Sequence, residues 1–148
     1  MKNLTAMSDD EMMAYIREKG MRPGIWLEFE SMGIKCPLAK EMPDECFIMR
    51  HGKRVIDHGR YVLDFRNEQA RAHCTAAVRR VIEEFGVEYI KNDYNVECGV
   101  GTEYNADSAG DGLLEHNRAF LEWYKEIRER YPHVTFENCA SGGMRMDY

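Results

Sequence analysis

Two short β-prone runs, Tyr89-Ile90-Lys91-Asn92-Asp93-Tyr94-Asn95 and Phe136-Glu137-Asn138-Cys139-Ala140-Ser141-Gly142-Gly143, break off abruptly in polar, charged or glycine residues. One long amphipathic segment separates them. Strand, helix and strand in that order call for a crossover connection, and therefore for parallel pairing. Parallel α/β folds gather the C-terminal ends of their strands on one face, where pockets are built. The pattern predicts that Lys91, Asp93 and the Ser141-Gly142-Gly143 turn share such a face.

The rest of the chain follows the same alternation. Ser8-Asp9-Asp10-Glu11 reads as a capping box opening a helix that Gly20 closes. Ile25-Trp26-Leu27-Glu28-Phe29-Glu30 is β-rich and carries two carboxylates at its end. The stretch from Ser31 to His58 has no clean period and reads as a long excursion, with a short hairpin across His51-Gly52. Excursions of that length commonly build or cover a site. Tyr61 to Phe65 resumes as a strand. Asn67 is placed to cap a helix with Ala70, Cys74, Ala77, Val78, Val81 and Phe85 at helical spacing. Val87 to Ile90 is a strand. Asp111 is expected to cap a helix with a stripe through Leu113 or Leu114, Asn117, Phe120, Leu121, Tyr124, Ile127 and Tyr131. Val134 to Phe136 is the last strand. About four strands with two clear crossover helices predict an α/β fold of parallel β/α units. Either an open sheet or a partial (β/α)8 barrel fits the pattern.

At 148 residues the chain is expected to form a single domain-sized unit over 1–148. A net charge of −6 and the absence of a basic cluster denser than Lys53-Arg54 argue against nucleic acid or an anionic membrane as partner. Lys53-Arg54 itself reads as a solvated loop. No apolar run approaches the ~20 residues of a membrane span, and the polar N-terminus lacks a signal-peptide core, so a cytoplasmic location is expected. Five cysteines without a CxxC pair suit neither a disulfide framework nor a zinc site, and the five histidines form no HxH or HxxxH pair. No metal is expected.

The strand ends suggest carbohydrate chemistry. Breaking a glycosidic bond with retention takes two carboxyl groups, one attacking the anomeric carbon and one protonating the leaving oxygen. Lys91 and Asp93 stand two apart on a strand and point to one face. Lys91 is placed to keep Asp93 ionised, and Asn95 continues that face. A surface ion pair would leave the same spacing. Trp26 suits packing on the C–H face of a pyranose, although a core role fits it too. The Ser141 to Gly143 turn offers unobstructed backbone N–H groups, as any turn does. Asp64 reads as support for its helix start or for a neighbouring Arg.

Taken together, Gly24-Ile25-Trp26-Leu27-Glu28-Phe29-Glu30, Gly59-Arg60-Tyr61-Val62-Leu63-Asp64, Tyr89 to Asn95, and Glu137 to Asp147 resemble four consecutive motifs of the melibiase-type α-galactosidases. These are the retaining enzymes of glycoside hydrolase family thirty-six. The resemblance runs from about Met21 to Tyr148. It implies a (β/α)8 TIM barrel, a double displacement on α-linked galactosides and no cofactor. By the same resemblance Asp93 is the nucleophile, and Trp26, Arg60, Lys91, Asn95 and Cys139 line the galactose subsite, with Ser141, Gly142 and Gly143 towards the sugar's C2 side. The family's Lys-Trp-Asp is here Lys91-Asn92-Asp93, and Asn92 is expected to point away from its two neighbours.

Asp147 matches an acid that closely follows the turn, not the family's acid/base residue, which is expected beyond the C-terminus. The chain is thus expected to be a central slice of the barrel, inactive alone and prone to self-association through uncovered sheet edges. Three alternatives stand beside this reading. One is an α-N-acetylgalactosaminidase on the same scaffold. Another is a noncatalytic sugar-binding relative, and the third an open-sheet domain completed by Asp147.

Overall fold

The computed structural model describes residues 7–99 and 101–143. In chain order the elements are α1 (Asp9–Glu18), β1 (Gly24–Leu27), β2 (Ser31–Gly33), α2 (Pro37–Glu41) and a 3-10 turn at Asp44–Cys46. Then come β3 (Met49–Arg50), β4 (Lys53–Arg54), β5 (Ile56–Asp57) and β6 (Arg60–Val62). The chain continues through α3 (Glu68–Glu83), β7 (Tyr89–Asn92), α4 (Ala109–Arg130) and β8 (Thr135–Asn138).

Helix starts are set where side chains can satisfy free backbone N–H groups. Ser8 accepts from the Glu11 amide, and the Glu11 carboxylate takes the Ser8 N–H at 2.8 Å, completing the capping box. Asn67 accepts from Gln69 and Ala70 at the head of α3. At α4 the cap is Ser108, whose hydroxyl accepts from the Asp111 amide at 3.1 Å, so the expectation for Asp111 is corrected.

Three strands pair in parallel in the order β1-β7-β8. The register aligns Trp26 with Lys91 and Lys91 with Glu137 across the three strands, and Ile25 with Ile90 and Phe136 one residue earlier. Alternation puts these two rows on opposite faces. The Ile25-Ile90-Phe136 row joins the core, where Ile90 is fully buried and Tyr124 meets Phe136 edge-on. Trp123 donates its indole N–H to Thr75 at 2.8 Å, and Tyr131 donates to Glu83 at 2.7 Å, so α4 lies alongside α3. The core centres on Phe65, with Phe120 and Trp123 edge-on to it at 5.1 Å, while Phe29 meets Trp123 at 5.4 Å. A fully buried Phe contributes roughly 1.5–3 kcal/mol relative to exposure.

The expected fourth parallel strand is a correction. Tyr61 and its neighbours lie in β6, which pairs antiparallel with β2 and β5 in a second small sheet. The reason is local. His58 and Gly59 both adopt positive φ (47° and 75°), which makes the two-residue reversal that suits the twist of a hairpin. His51-Gly52 makes the same reversal between β3 and β4, as expected. The excursion from Ser31 to His58 is therefore a folded layer. Arg54, expected in a solvated loop, donates to the Ala39 and Met42 carbonyls at the end of α2 and stacks over the Phe47 ring at 4.1 Å.

The buried stripes also differ from the sequence reading. In α3 Ala70, Cys74 and Val78 face inward with Ile82, whereas Ala77 is exposed. Along the α4 stripe Ile127 and Tyr131 are buried, and Leu113, Phe120 and Tyr124 pack against the core as expected. Gly112, His116 and Trp123 are buried as well, however, and Leu114, Asn117 and Leu121 face solvent. Two contacts turn the helix this way. A Cβ on Gly112 would stand 2.2 Å from the Thr102 carbonyl oxygen, so only glycine lets that loop close on α4. His116 is drawn inward by the Phe65 amide, which donates to its Nδ1 at 3.1 Å. Its ring nitrogens stand 3.7 Å from Glu30 and 3.8 Å from Asp64, both buried.

No helix among the described residues is long and apolar enough to cross a membrane, and no group of three or more His, Cys, Asp or Glu among them is placed to hold a metal.

Candidate active site

The face of the parallel sheet away from α3 and α4 carries Trp26, Lys91 and Glu137 in one row. The ladder runs one step further. The Asp93 amide donates to the Leu27 carbonyl and the Cys139 amide to the Asn92 carbonyl, each at 2.8 Å. Alternation then sets Glu28, Asp93 and Cys139 in the next row on the same face. Parallel pairing alone thus delivers two carboxylates and a thiol to one edge, above an indole, an ammonium and another carboxylate.

Asp93 sits at the middle of this edge. The Trp26 indole N–H donates to its Oδ2 at 3.1 Å, and the Tyr94 amide to its Oδ1 at 2.9 Å. The Asn95 side chain first, then Trp26, Cys139 and the Tyr94 amide, hold its carboxyl well below the usual carboxylate range, against the opposing effect of burial. Trp26 is 51% exposed, so its ring lies open beside the carboxylate.

Lys91 has a direct partner that the sequence did not indicate. Its ammonium pairs with Glu137 Oε1 at 3.0 Å, and Glu137 is the first cause that raises its pKa, with Cys139 and Asp93 after it. Tyr89 donates its hydroxyl to Glu137 from two residues before Lys91. Tyr89 and Lys91 in turn lower the pKa of Glu137. Register explains the pairing, since Lys91 and Glu137 are direct cross-strand neighbours.

Arg60 reaches the rim from β6. Its Nη1 donates to Glu28 Oε2 at 2.6 Å and its Nη2 to the Asn95 carbonyl at 2.7 Å. Glu28 also accepts from the Asn95 backbone at 3.2 Å, from the Asn95 side chain at 2.9 Å and from Ser31 at 3.1 Å. Ser141 donates its hydroxyl to Asn95 Oδ1 at 2.9 Å. Gly142 and Gly143 follow it, exposed, in a turn where Ser141 and Gly142 both have positive φ.

Trp26, Arg60, Lys91, Asp93, Asn95, Cys139 and Ser141 therefore converge on one rim. Asp147 lies outside the described residues. Glu28, Tyr89 and Glu137 belong to the rim and were not singled out from sequence. Glu28 was legible in principle, two residues past Trp26 on the same face. Glu137 was not, because its role depends on a cross-strand register. Asn92 points to the helix side and is fully buried. A separate hollow of about 480 Å³ at Asp64, Arg66, Arg71, Tyr104 and Asp111 shares no residue with this rim.

The chain matches the melibiase family over residues 2–148. It is 31% identical over 134 residues to an α-galactosidase of Escherichia coli, a match covering 90% of this chain and 18% of that one. It is 26% identical over 135 residues to the α-galactosidase Mel36A of Lactobacillus acidophilus, with the same coverage of 90% and 18%. Among solved structures it resembles a variant of the α-galactosidase AgaA of Geobacillus stearothermophilus in complex with raffinose. There the TM-score is 0.76 at 25% identity, over 93% of this chain and 20% of that one. The chain thus spans about a fifth of the length of the relatives it matches.

Proposed function

The chain belongs to the melibiase family, and on that premise we propose that it supplies the nucleophile edge of a retaining α-galactosidase. The observation that carries this reading is Asp93 itself. It is an ionised carboxylate at the C-terminal end of a middle strand, steadied by Trp26, Asn95 and Cys139, beside an open indole face.

Asp93 attacks C1 of an α-linked galactoside from this edge. The Trp26 ring packs on the sugar's C–H face, and the Lys91 ammonium donates to its hydroxyls. The leaving oxygen takes its proton from a carboxyl other than Glu28 and Glu137. Glu28 is occupied by Arg60, Asn95 and Ser31, and Glu137 by Lys91 and Tyr89. The reaction needs no cofactor.

The sheet order suits a (β/α)8 barrel, because strands follow in sequence without reversal and both crossover helices lie on one face. The outer strands β1 and β8 leave edges unpaired among the described residues, so the chain on its own self-associates in this reading. All five cysteines are free thiols, which suits a cytoplasmic enzyme.

The family's aromatic between Lys91 and Asp93 is replaced by Asn92, which is buried on the helix face. That replacement gives no reason to prefer a 2-acetamido sugar over galactose. The test assays the full-length protein and its Asp93→Ala variant on 4-nitrophenyl α-galactoside and on the 2-acetamido analogue. The expected outcome is turnover of the galactoside by the wild type and its loss in the variant. Turnover retained without the Asp93 carboxylate would overturn the assignment.

A further inference from the structure

Glu28 is the most heavily shared side chain on the rim. Its side chain is 9% exposed and takes four hydrogen bonds, from Arg60 Nη1, Ser31 Oγ, the Asn95 backbone and Asn95 Nδ2. Every one of these partners is a donor. A carboxylate accepts through both oxygens and suits them all. An amide of the same shape has one oxygen, and would turn its N–H₂ towards either Arg60 or Asn95.

Asn95 has the opposite need. A side-chain amide can sit in two orientations related by a flip, with nitrogen and oxygen exchanged. Here Nδ2 faces Glu28, and Oδ1 faces the Ser141 hydroxyl. The same side chain also lies against Asp93. In the flipped state an amide oxygen would face the Glu28 carboxylate, and an N–H₂ group would meet Ser141. The Glu28 carboxylate disfavours that state, and its bond to the Asn95 backbone keeps the side chain beside it. Arg60 closes the arrangement by binding Glu28 and the Asn95 carbonyl together.

We propose that Glu28 is a positioning residue that locks the Asn95 amide with its N–H₂ towards the carboxylates and its oxygen towards Ser141. This sets the loop after Asp93 and joins it to the Ser141 turn. Glu28 acts through Asn95. The proposal rests on the reading of Asp93 as nucleophile only for its catalytic consequence, and the lock itself is a statement about geometry.

The groups facing Asp93 are Trp26 and Glu28 on the β1 side, Lys91 and Asn95 on its own segment, and Glu137 and Cys139 after β8. Neutralising Glu28 would itself favour the ionised form of Asp93, so the lock is read at Asn95. The experiment follows the Asn95 side-chain N–H₂ signals by NMR, in the full chain and in Glu28→Gln. In the wild type the Asn95 amide protons should exchange with solvent at least about tenfold more slowly than a free amide. In Glu28→Gln that protection should vanish.

Unprotected Asn95 protons in the wild type would overturn the proposal without any variant. So would a folded Glu28→Gln chain in which that protection is unchanged. The catalytic consequence is read separately. In the full-length protein Glu28→Gln should lower kcat about tenfold or more with a smaller change in KM, and Glu28→Asp should recover part of the loss. If the NMR signals move but Asp93→Ala keeps its turnover, the positioning role stands and the nucleophile assignment fails.

Discussion

Trp26 and Asp93, 67 residues apart in sequence, are joined by an indole N–H that donates to a carboxylate oxygen at 3.1 Å. The bond gives one side chain two roles. The ring presents an apolar face at the rim, and the nitrogen holds the carboxylate. Trp26→Phe separates them, because it keeps an aromatic face and removes the donor. We expect about a tenfold fall in kcat/KM on an aryl α-galactoside, with most of it in kcat, since the lost bond is to the attacking group. A loss confined to KM would mean that the ring alone matters.

Lys91 and Glu137 form the second testable pair. The ammonium stands 3.0 Å from the carboxylate, and Tyr89 holds the carboxylate from the other side. A lysine stem is flexible, so an anchored ammonium meets a sugar hydroxyl at less entropic cost than a free one. Glu137→Gln leaves the charge of Lys91 in place and loosens its position. KM should rise about tenfold while kcat changes less. Unchanged KM would show that Lys91 finds its place without Glu137.

These two pairs show what was legible from sequence and what was not. Trp26, Lys91 and Asp93 stand out because strand alternation and chemistry agree at those positions. The Lys91–Glu137 pairing depends on which residue of β8 sits opposite β7, and no local signal states a register between residues 46 positions apart. The Tyr61 segment was placed in the wrong sheet for a related reason. Its β propensity was clear, but partner and direction were set by the His58-Gly59 reversal. His116 was missed in α4 because a histidine reads as surface until its buried partners are known. Helix caps, by contrast, are local contacts, and two of three were read correctly at Ser8 and Asn67.

The buried polar cluster gives a pH prediction. Asp64 is buried, which raises its pKa, but the neighbouring His116 and Arg66 side chains outweigh that and hold it below its ordinary value. Arg66 binds it through Nη2 at 2.6 Å and through Nε at 3.0 Å. A carboxyl with a depressed folded-state pKa stabilises the fold above its unfolded value, roughly pH 3.9, and that contribution is lost as pH falls through the folded value. The urea midpoint should therefore drop below about pH 4. Asp64→Asn should be less stable at neutral pH and should show a shallower acid slope. An unchanged slope would assign the acid sensitivity to other carboxyls.

Asn92 offers the opposite case, a buried polar group whose removal should help. Its side chain is fully buried on the helix face of β7, beside Leu27 and Asn138 in register, and neither its Oδ1 nor its Nδ2 has a hydrogen-bond partner among the described residues. A buried amide left unpaired costs roughly 1–3 kcal/mol. Leucine has a similar reach, no polar atoms, and suits the apolar side of the sheet. Asn92→Leu should raise stability by about 1–2 kcal/mol, read as a higher urea midpoint at unchanged slope. Activity per folded molecule should be unaffected, because the side chain points away from Asp93 and Lys91. A lower midpoint would mean that the amide is paired in the working protein, so that Asn92 is kept for a contact on the helix side.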